Sequence, residues 1–416
     1  MSAPIPHQLA RRLGTGDAVV VGLSAMVGAG VFAVFAPAAQ AAGSGLLVGL
    51  GLAAVVAFCN ATSSAQLAAA YPTSGGTYVY GREVLGPWWG FVAGWGFVVG
   101  KTASCAAMAL TFATYAVPAG RGWQRIVGAG AVVLLTVANL RGITRTAAAA
   151  RVLLVATGAV LVGFLALAAT GAADVHPSAL PVHGGVGGVL QSAGLIFFAF
   201  AGYARIATLA EEVRRPEQLG RAIVIALAVV VLLYLAVGLA LVAVLGRDLP
   251  SSATPVASAV DALGAAWAVP VVRIGAAAAS LGALLALLAG VGRTTLAMAR
   301  ERDLPGPLAS VDLRHHVPDR AQLAIGAVVV VLVLTSDLRG VIGFSSCGVL
   351  IYYAVANLSA VRQPAAQRRW PRALQLVGLV GCLVLVVTLP SASVLAGLGV
   401  LAVGVLGRLV VLRHRR

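Results

Sequence analysis

The chain carries very little charge, and almost none of it as lysine. Only 10% of its 416 residues are charged, against about 25% in a typical soluble domain. Hydrophobic residues make up 60%, and the mean hydropathy is +0.97. A soluble globular protein is thereby excluded, and an integral membrane protein is expected. The thirteen carboxylates all map to loops or to the ends of apolar runs, as do the six histidines. No carboxylate or imidazole relay can then cross mid-membrane, and no set of side chains has metal-ligand spacing. Neither a metal nor a cofactor is expected. An intramembrane enzyme such as a lipid-modifying transferase would need a converging nucleophile, base or metal set, which is missing. Four cysteines, Cys59, Cys105, Cys347 and Cys382, lie in apolar runs without CxxC spacing and read as packing residues. The first apolar run has no A-x-A-like exit, so it is expected to remain as the first helix.

What the chain does have is long apolar runs. A transmembrane helix needs about 20 apolar residues. Twelve runs qualify, at 17–36, 45–69, 88–117, 124–140, 150–170, 187–210, 219–245, 269–298, 321–336, 340–360, 373–390 and 392–411. Short loops favour one bundle over separate domains. The net charge of +16 could suggest nucleic acid, but its distribution argues otherwise. With a cytoplasmic N-terminus, twenty-two arginines fall on the inner side and five, Arg121, Arg125, Arg247, Arg273 and Arg339, on the outer. That asymmetry places both termini in the cytoplasm. Heavy use of Arg and Ala suggests high-GC coding, and hence a bacterial plasma membrane.

Two runs are interrupted. The first places Gly28 and Gly30 near its middle, where each glycine weakens a helix by roughly 1 kcal/mol relative to alanine. An unwound segment there would expose N–H groups that favour an anion. A close-packing seam of small residues is the alternative. The sixth run contains Gly202 and Arg205 at a comparable depth. Broken helices in corresponding positions of two halves point to a transporter binding site, whereas a channel would need a continuous polar lining. The halves echo each other in sequence. Glu83-Val84-Leu85-Gly86-Pro87-Trp88-Trp89 and Asp261-Ala262-Leu263-Gly264-Ala265-Ala266-Trp267 share acid-x-Leu-Gly-x-x-Trp, each just before a helix. Lys101, the only lysine, lies about a dozen residues inside the third run; an ionisable residue at that depth marks a pathway unless it snorkels to an interface. Cys105, Ser345 and Ser346 are small polar residues able to line a cavity. Asn60, Thr62, Ser63, Ser64 and Gln66 in the second run can serve either as interhelical glue or as pathway.

Three features together resemble the amino acid–polyamine–organocation (APC) transporters. They are Gly28-Ala29-Gly30-Val31-Phe32 in helix 1, Tyr71-Pro72 to Gly75-Gly76-Thr77-Tyr78 after helix 2, and Glu211-Glu212-Val213 with Pro216 after helix 6. The resemblance runs from residue 10 to about residue 360. It implies an all-α LeuT-type fold with twelve helices, of which 1 and 6 are broken. A cytoplasmic arm (1–16) would precede the first inverted repeat (17–170), followed by the second (187–360) and two peripheral helices (373–411). It also implies a substrate carboxylate held at Ala25, Val27, Gly28, Ala29, Gly30 and Val31, and an ammonium received by carbonyls around Phe198, Ala199, Ala201 and Gly202. Phe200 and Tyr203 become gating or packing residues, and Lys101 and Arg205 coupling candidates. Many family members have serine where Ala29 stands, so one hydroxyl contact is missing. Some use a lysine on helix 5 in place of sodium; helix 5 here has none. With no acid expected in the pocket and Lys101 nearby, a cationic substrate would meet repulsion. A neutral amino acid is therefore expected, with an anionic substrate paired to Lys101 as the alternative. The expected function is proton-coupled amino acid transport by alternating access, with exchange or export of an amino acid or amine as the other readings. No partner beyond the substrate, protons and the bilayer is called for.

Overall fold

The computed structural model describes residues 14–71, 75–142, 147–171, 175, 177–203, 219–312 and 314–413. The described residues form helices joined by short turns. Helix α1 (Thr15–Met26) breaks before α2 (Gly30–Ala33) and α3 (Phe35–Ala42), and α4 (Leu46–Ala70) follows. A short α5 (Thr77–Leu85) leads into α6 (Pro87–Ala116), then α7 (Arg121–Leu140), α8 (Ala147–Gly171) and α9 (Gly185–Phe200). The remainder are α10 (Leu219–Leu245), α11 (Pro255–Ala262), α12 (Val269–Arg300), α13 (Asp319–Thr335), α14 (Leu338–Arg362), α15 (Arg372–Thr388) and α16 (Ser391–Arg413). This is a multi-pass membrane architecture. Helix is the only element that satisfies every backbone group within one apolar segment.

Ten helical segments among the described residues are long and apolar enough to cross a membrane. The expected runs 321–336 and 373–390 fall instead on α13 and α15, each 17 residues long. At 1.5 Å per residue such a helix is about 25 Å long, at the lower limit of what crosses a bilayer.

Helix α6 is the central post, packed against α12 and α14. Small residues let backbones approach: a Cβ on Gly348 would lie 2.9 Å from Gly100 Cα, and one on Gly96 would lie 3.0 Å from the Gly348 carbonyl oxygen. Ser104 and Ser345 hydroxyls pair across the same seam at 2.6 Å. Three of the five polar residues of the second run, Asn60, Ser63 and Gln66, are glue, while Thr62 donates to the Cys59 carbonyl of its own helix. Ser63 donates to Asn357 Oδ1 at 2.7 Å, and Asn357 Nδ2 donates to Asn60 Oδ1 at 2.6 Å. Gln66 donates to Gln363 Oε1 at 2.7 Å, while its own carbonyl accepts from the Arg369 and Trp370 amides and from Gln375 Nε2. These bonds fasten α4 to α14 and α15.

The sequence echo has a matching backbone. Gly86 (φ +106°) and Gly264 (φ +74°) both adopt left-handed conformations, which L side chains rarely do. Each follows a short helix and precedes a long one, α5 before α6 and α11 before α12. At one end of the bundle Arg82 and Arg408 each reach Asp303 at 2.9 Å, and Tyr78 donates to it at 2.8 Å. Burial, then the bond to Asp303, pushes the Tyr78 phenol well above its ordinary pKa. Arg408 also lies over the rings of Trp88 and Phe91, at 4.8 and 4.7 Å. At the opposite end Gln40 donates to the Pro250 carbonyl at 2.6 Å, and Arg339 to Gln191 at 3.0 Å.

Candidate functional site

Helix 1 does unwind where its glycines stand. Val27 leaves helical geometry (φ −79°, ψ 50°), and the Gly28 amide turns back to the Met26 carbonyl at 2.8 Å. The helix resumes at Gly30, and Phe32 N–H returns to the Ala29 carbonyl at 3.1 Å. No described backbone carbonyl accepts from the amides of Ala29, Gly30 or Val31, so the start of α2 presents free N–H groups in the protein interior. Helix α9 ends at Phe200 and tightens into a single 3₁₀ turn at Ala201–Tyr203.

The two interruptions touch each other directly. A Cβ on Gly30 would stand 2.8 Å from both Cα and Cβ of Ala199, and one on Gly202 would meet the Ala25 carbonyl, 2.5 Å from its carbon. On Gly28 the nearest atom would be Ala283 Cβ, at 3.1 Å. Both readings of the glycines therefore hold together. The backbone is unwound and it is also close-packed, because only glycine lets two irregular main chains cross without side chains between them.

Two tyrosines pin the crossing. Tyr234 of α10 donates to the Met26 carbonyl at 2.7 Å and lies 3.3 Å from that of Ala199, bridging the two breaks with one hydroxyl. Tyr353 of α14 donates to the Ala201 carbonyl at 3.4 Å. Its ring stacks on Tyr203 at 5.0 Å and meets Phe197 edge-on at 5.8 Å. Sequence reasoning missed both. The available signal was a lone tyrosine, Tyr234, inside one apolar run and a tyrosine pair, Tyr352-Tyr353, inside another.

Lys101 reaches the same point. It is 8% exposed, and its Nζ donates to the Ala201 carbonyl at 3.3 Å, so it does not snorkel to an interface. Val27, Ala29, Val31, Phe198, Ala199, Ala201, Phe200, Tyr203, Cys105, Ser345 and Ser346 are all buried. Phe200 faces Tyr234 at 5.2 Å, and Ser345 is engaged with Ser104 on α6. Ser346 Oγ has no hydrogen-bond partner among the described residues. Arg205 lies outside the described residues, as do Pro72, Glu211, Glu212, Val213 and Pro216. Two cavities lie apart from the crossing. One of about 490 Å³ is apolar and lined by Trp95, Val98, Leu308, Ile325 and Val400 among others; one of about 310 Å³ contains Asp261 and Arg273. Among the described residues no group of His, Cys, Asp and Glu could hold a metal ion.

The model of the amino acid permease family matches residues 13–405. The chain belongs to the amino acid permease family. It is thus an APC-superfamily membrane transporter of the amino acid class, not an enzyme. It is similar to an uncharacterized transporter of Mycobacterium tuberculosis, 56% identical over 408 residues that cover 96% of this chain and 91% of the relative. A branched-chain amino acid permease of Bacillus subtilis is 26% identical over 398 residues, covering 89% and 84%. A vacuolar cationic amino acid transporter of Arabidopsis thaliana is 28% identical over 376 residues, covering 84% of this chain and 62% of its own.

Proposed function

We propose that this permease moves a neutral amino acid across a bacterial plasma membrane by alternating access, coupled to protons, with both termini in the cytoplasm. The observation that carries the reading is the backbone contact between the two helix breaks. No backbone bond is made by the amides of Ala29, Gly30 and Val31 among the described residues, and Gly30 lies against Ala199 in the last turn of α9. Opposed half-helix ends can hold a zwitterion without charged side chains. The substrate carboxylate docks at Ala25 to Val31, and the rest of the molecule lies against Phe198, Ala199, Ala201 and Gly202. Phe200, Tyr203, Cys105, Ser345 and Ser346 line or close the site.

The same reading takes the fold as a LeuT-type 5+5 inverted repeat with twelve spans. The paired short-then-long helices and their left-handed glycines at 86 and 264 support the symmetry. Rocking of one set of helices against the other then exposes the crossing to each side in turn. Neutral substrates are favoured because no ion pair among the described residues places a carboxylate at the crossing, while Lys101 is there. Of the named relatives, the branched-chain permease agrees with that preference and the cationic amino acid transporter does not. Lys101 is the coupling residue, the one cation of the described residues hydrogen-bonded to a helix break.

The test is a thermal-shift panel of the twenty amino acids from about pH 5 to pH 8, since a ligand that binds the native state raises apparent stability. One clear stabiliser, lost in Gly30→Leu and with altered pH dependence in Lys101→Met, is expected. No stabiliser at all would overturn the amino acid reading, and unchanged pH dependence in Lys101→Met would remove the lysine from coupling.

A further inference from the structure

The cavity of about 490 Å³ beside α6 is a groove open to one side. Its floor is buried, with Val98, Thr102, Thr295 and Ile325 at most 7% exposed, whereas its rim on α13 is bare at Ala324 and at Val328, 51% exposed. Leu323 and Val331 beside that rim are also exposed, so the groove opens on hydrocarbon and not on water. The three polar side chains in its wall donate to main chain: Trp95 Nε1 to the Val400 carbonyl at 2.9 Å, Thr102 to that of Val98 at 2.7 Å and Thr295 to that of Val291 at 2.9 Å. Water in such a groove lacks partners, and an amino acid there would leave both of its charges unpaired. A hydrocarbon chain restores the contacts that the lining lacks.

One end of the groove is cationic. Ala324, Val328 and Leu332 line it at four-residue steps along α13, and Arg320 continues that row by one turn. Arg302 stands at the same end, two residues before Leu304 of the lining. Both arginines are exposed, and neither takes part in an ion pair among the described residues. The acids of that end are engaged elsewhere: Glu301 with Arg82, Asp303 with Arg82 and Arg408, and Asp312 with His315, while Asp319 turns one oxygen into the protein. Positive charge followed by an apolar trough is the complement of an anionic headgroup followed by an acyl chain. We propose that this groove binds an anionic phospholipid, its chain along Trp95, Val98 and Ile325 and its phosphate at Arg302 and Arg320. The bound chain touches α6, α13, α14 and α16 together, so it serves as a packing element of the bundle and not as cargo.

The experiment follows the melting temperature of the purified full chain in detergent as dioleoyl phosphatidylglycerol or dioleoyl phosphatidylcholine is added. The two lipids share their chains and differ in net charge, and the concentration that stabilises gives the affinity. Wild type is expected to bind phosphatidylglycerol about twenty-fold tighter, about five-fold for each arginine beside an anionic headgroup. The double variant Arg302→Gln, Arg320→Gln should bring the two lipids to near parity. Ala324→Phe, which fills the groove from its exposed rim, should abolish the saturable response to both. Arg121→Gln is the control, because Arg121 is exposed at the start of α7, the opposite end of the bundle, where Arg125 donates to the Ser336 carbonyl beyond α13. It should keep the wild-type preference. A preference that survives the double variant overturns the inference, as does one lost equally in Arg121→Gln, which would mark diffuse attraction to a chain of net charge +16. An Ala324→Phe protein that responds like wild type also overturns it. So does a dimer that Ala324→Phe splits without any lipid preference, since a second copy would then cover the groove. If Ala324→Phe does not fold, the arginine variants decide the matter. The amino acid reading stands or falls at the helix crossing and is untouched by each of these results.

Discussion

Adding one methyl group at Gly202 should cost more than its size suggests. The alanine Cβ would lie 2.5 Å from the Ala25 carbonyl carbon and 2.8 Å from the Met26 nitrogen, where ordinary contacts fall at 3.4–4 Å. Main chain must therefore move by about 1 Å, and neither partner can yield by rotating a side chain. Overpacking of this kind costs about 1–3 kcal/mol. Gly30→Ala meets Ala199 Cα at 2.8 Å and belongs in the same class, whereas Gly28→Ala meets only the Ala283 methyl at 3.1 Å and should be milder. Gly290 is the internal control. It lies inside α12 with nothing within 4 Å of a new Cβ, so alanine there should stabilise by about 0.5–1 kcal/mol through helix propensity. Melting temperatures of the four variants in one detergent should rank Gly290→Ala above wild type, then Gly28→Ala, with Gly30→Ala and Gly202→Ala lowest and unable to respond to substrate. A Gly202→Ala protein as stable as wild type, with unchanged ligand response, would refute the claim that the two main chains cross in contact.

Tyr234→Phe removes the hydroxyl that bridges the Met26 and Ala199 carbonyls; a loss of about 1–3 kcal/mol is expected in thermal unfolding, with weaker ligand stabilisation. Asp303→Asn leaves Arg408, whose side chain is 9% exposed, without its counter-charge, and a loss of about 3–5 kcal/mol should follow. Double substitution of Asp303 and Arg408 by apolar residues of similar volume should recover much of it, read as a partial return of the melting temperature. Ser104→Ala strips Ser345 of its partner across the α6–α14 seam, and a smaller loss of about 1 kcal/mol is expected in the same assay.

The membrane class, the helical runs and the position of the first break were legible because they depend on local composition. Gly28 and Gly30 disfavour helix wherever they stand, and an apolar run as long as 219–245 has few soluble alternatives. Asn60, Ser63 and Gln66 could be seen as polar residues in an apolar run, but not sorted into glue or pathway. That depends on Asn357 and Gln363, nearly three hundred positions away. Tyr234 and Tyr353 stayed invisible for the same reason, since a tyrosine's importance here lies in which carbonyl its hydroxyl finds. Lys101 was singled out by its rarity and its depth in an apolar run. Its carbonyl partner follows from how α6 and α9 pack, which no local pattern encodes.

The carbonyl of Gln66 accepts three donors, and all three come from beyond Arg362. A chain ended at Arg362 would leave that oxygen without any of the three, and would strip Asn60 of Cys382 while leaving it Asn357. The segment before α15 and α15 itself thus act as a lid on the hydrogen-bonding needs of α4, and trimming them to obtain a minimal transporter should yield an aggregating protein rather than a smaller working one.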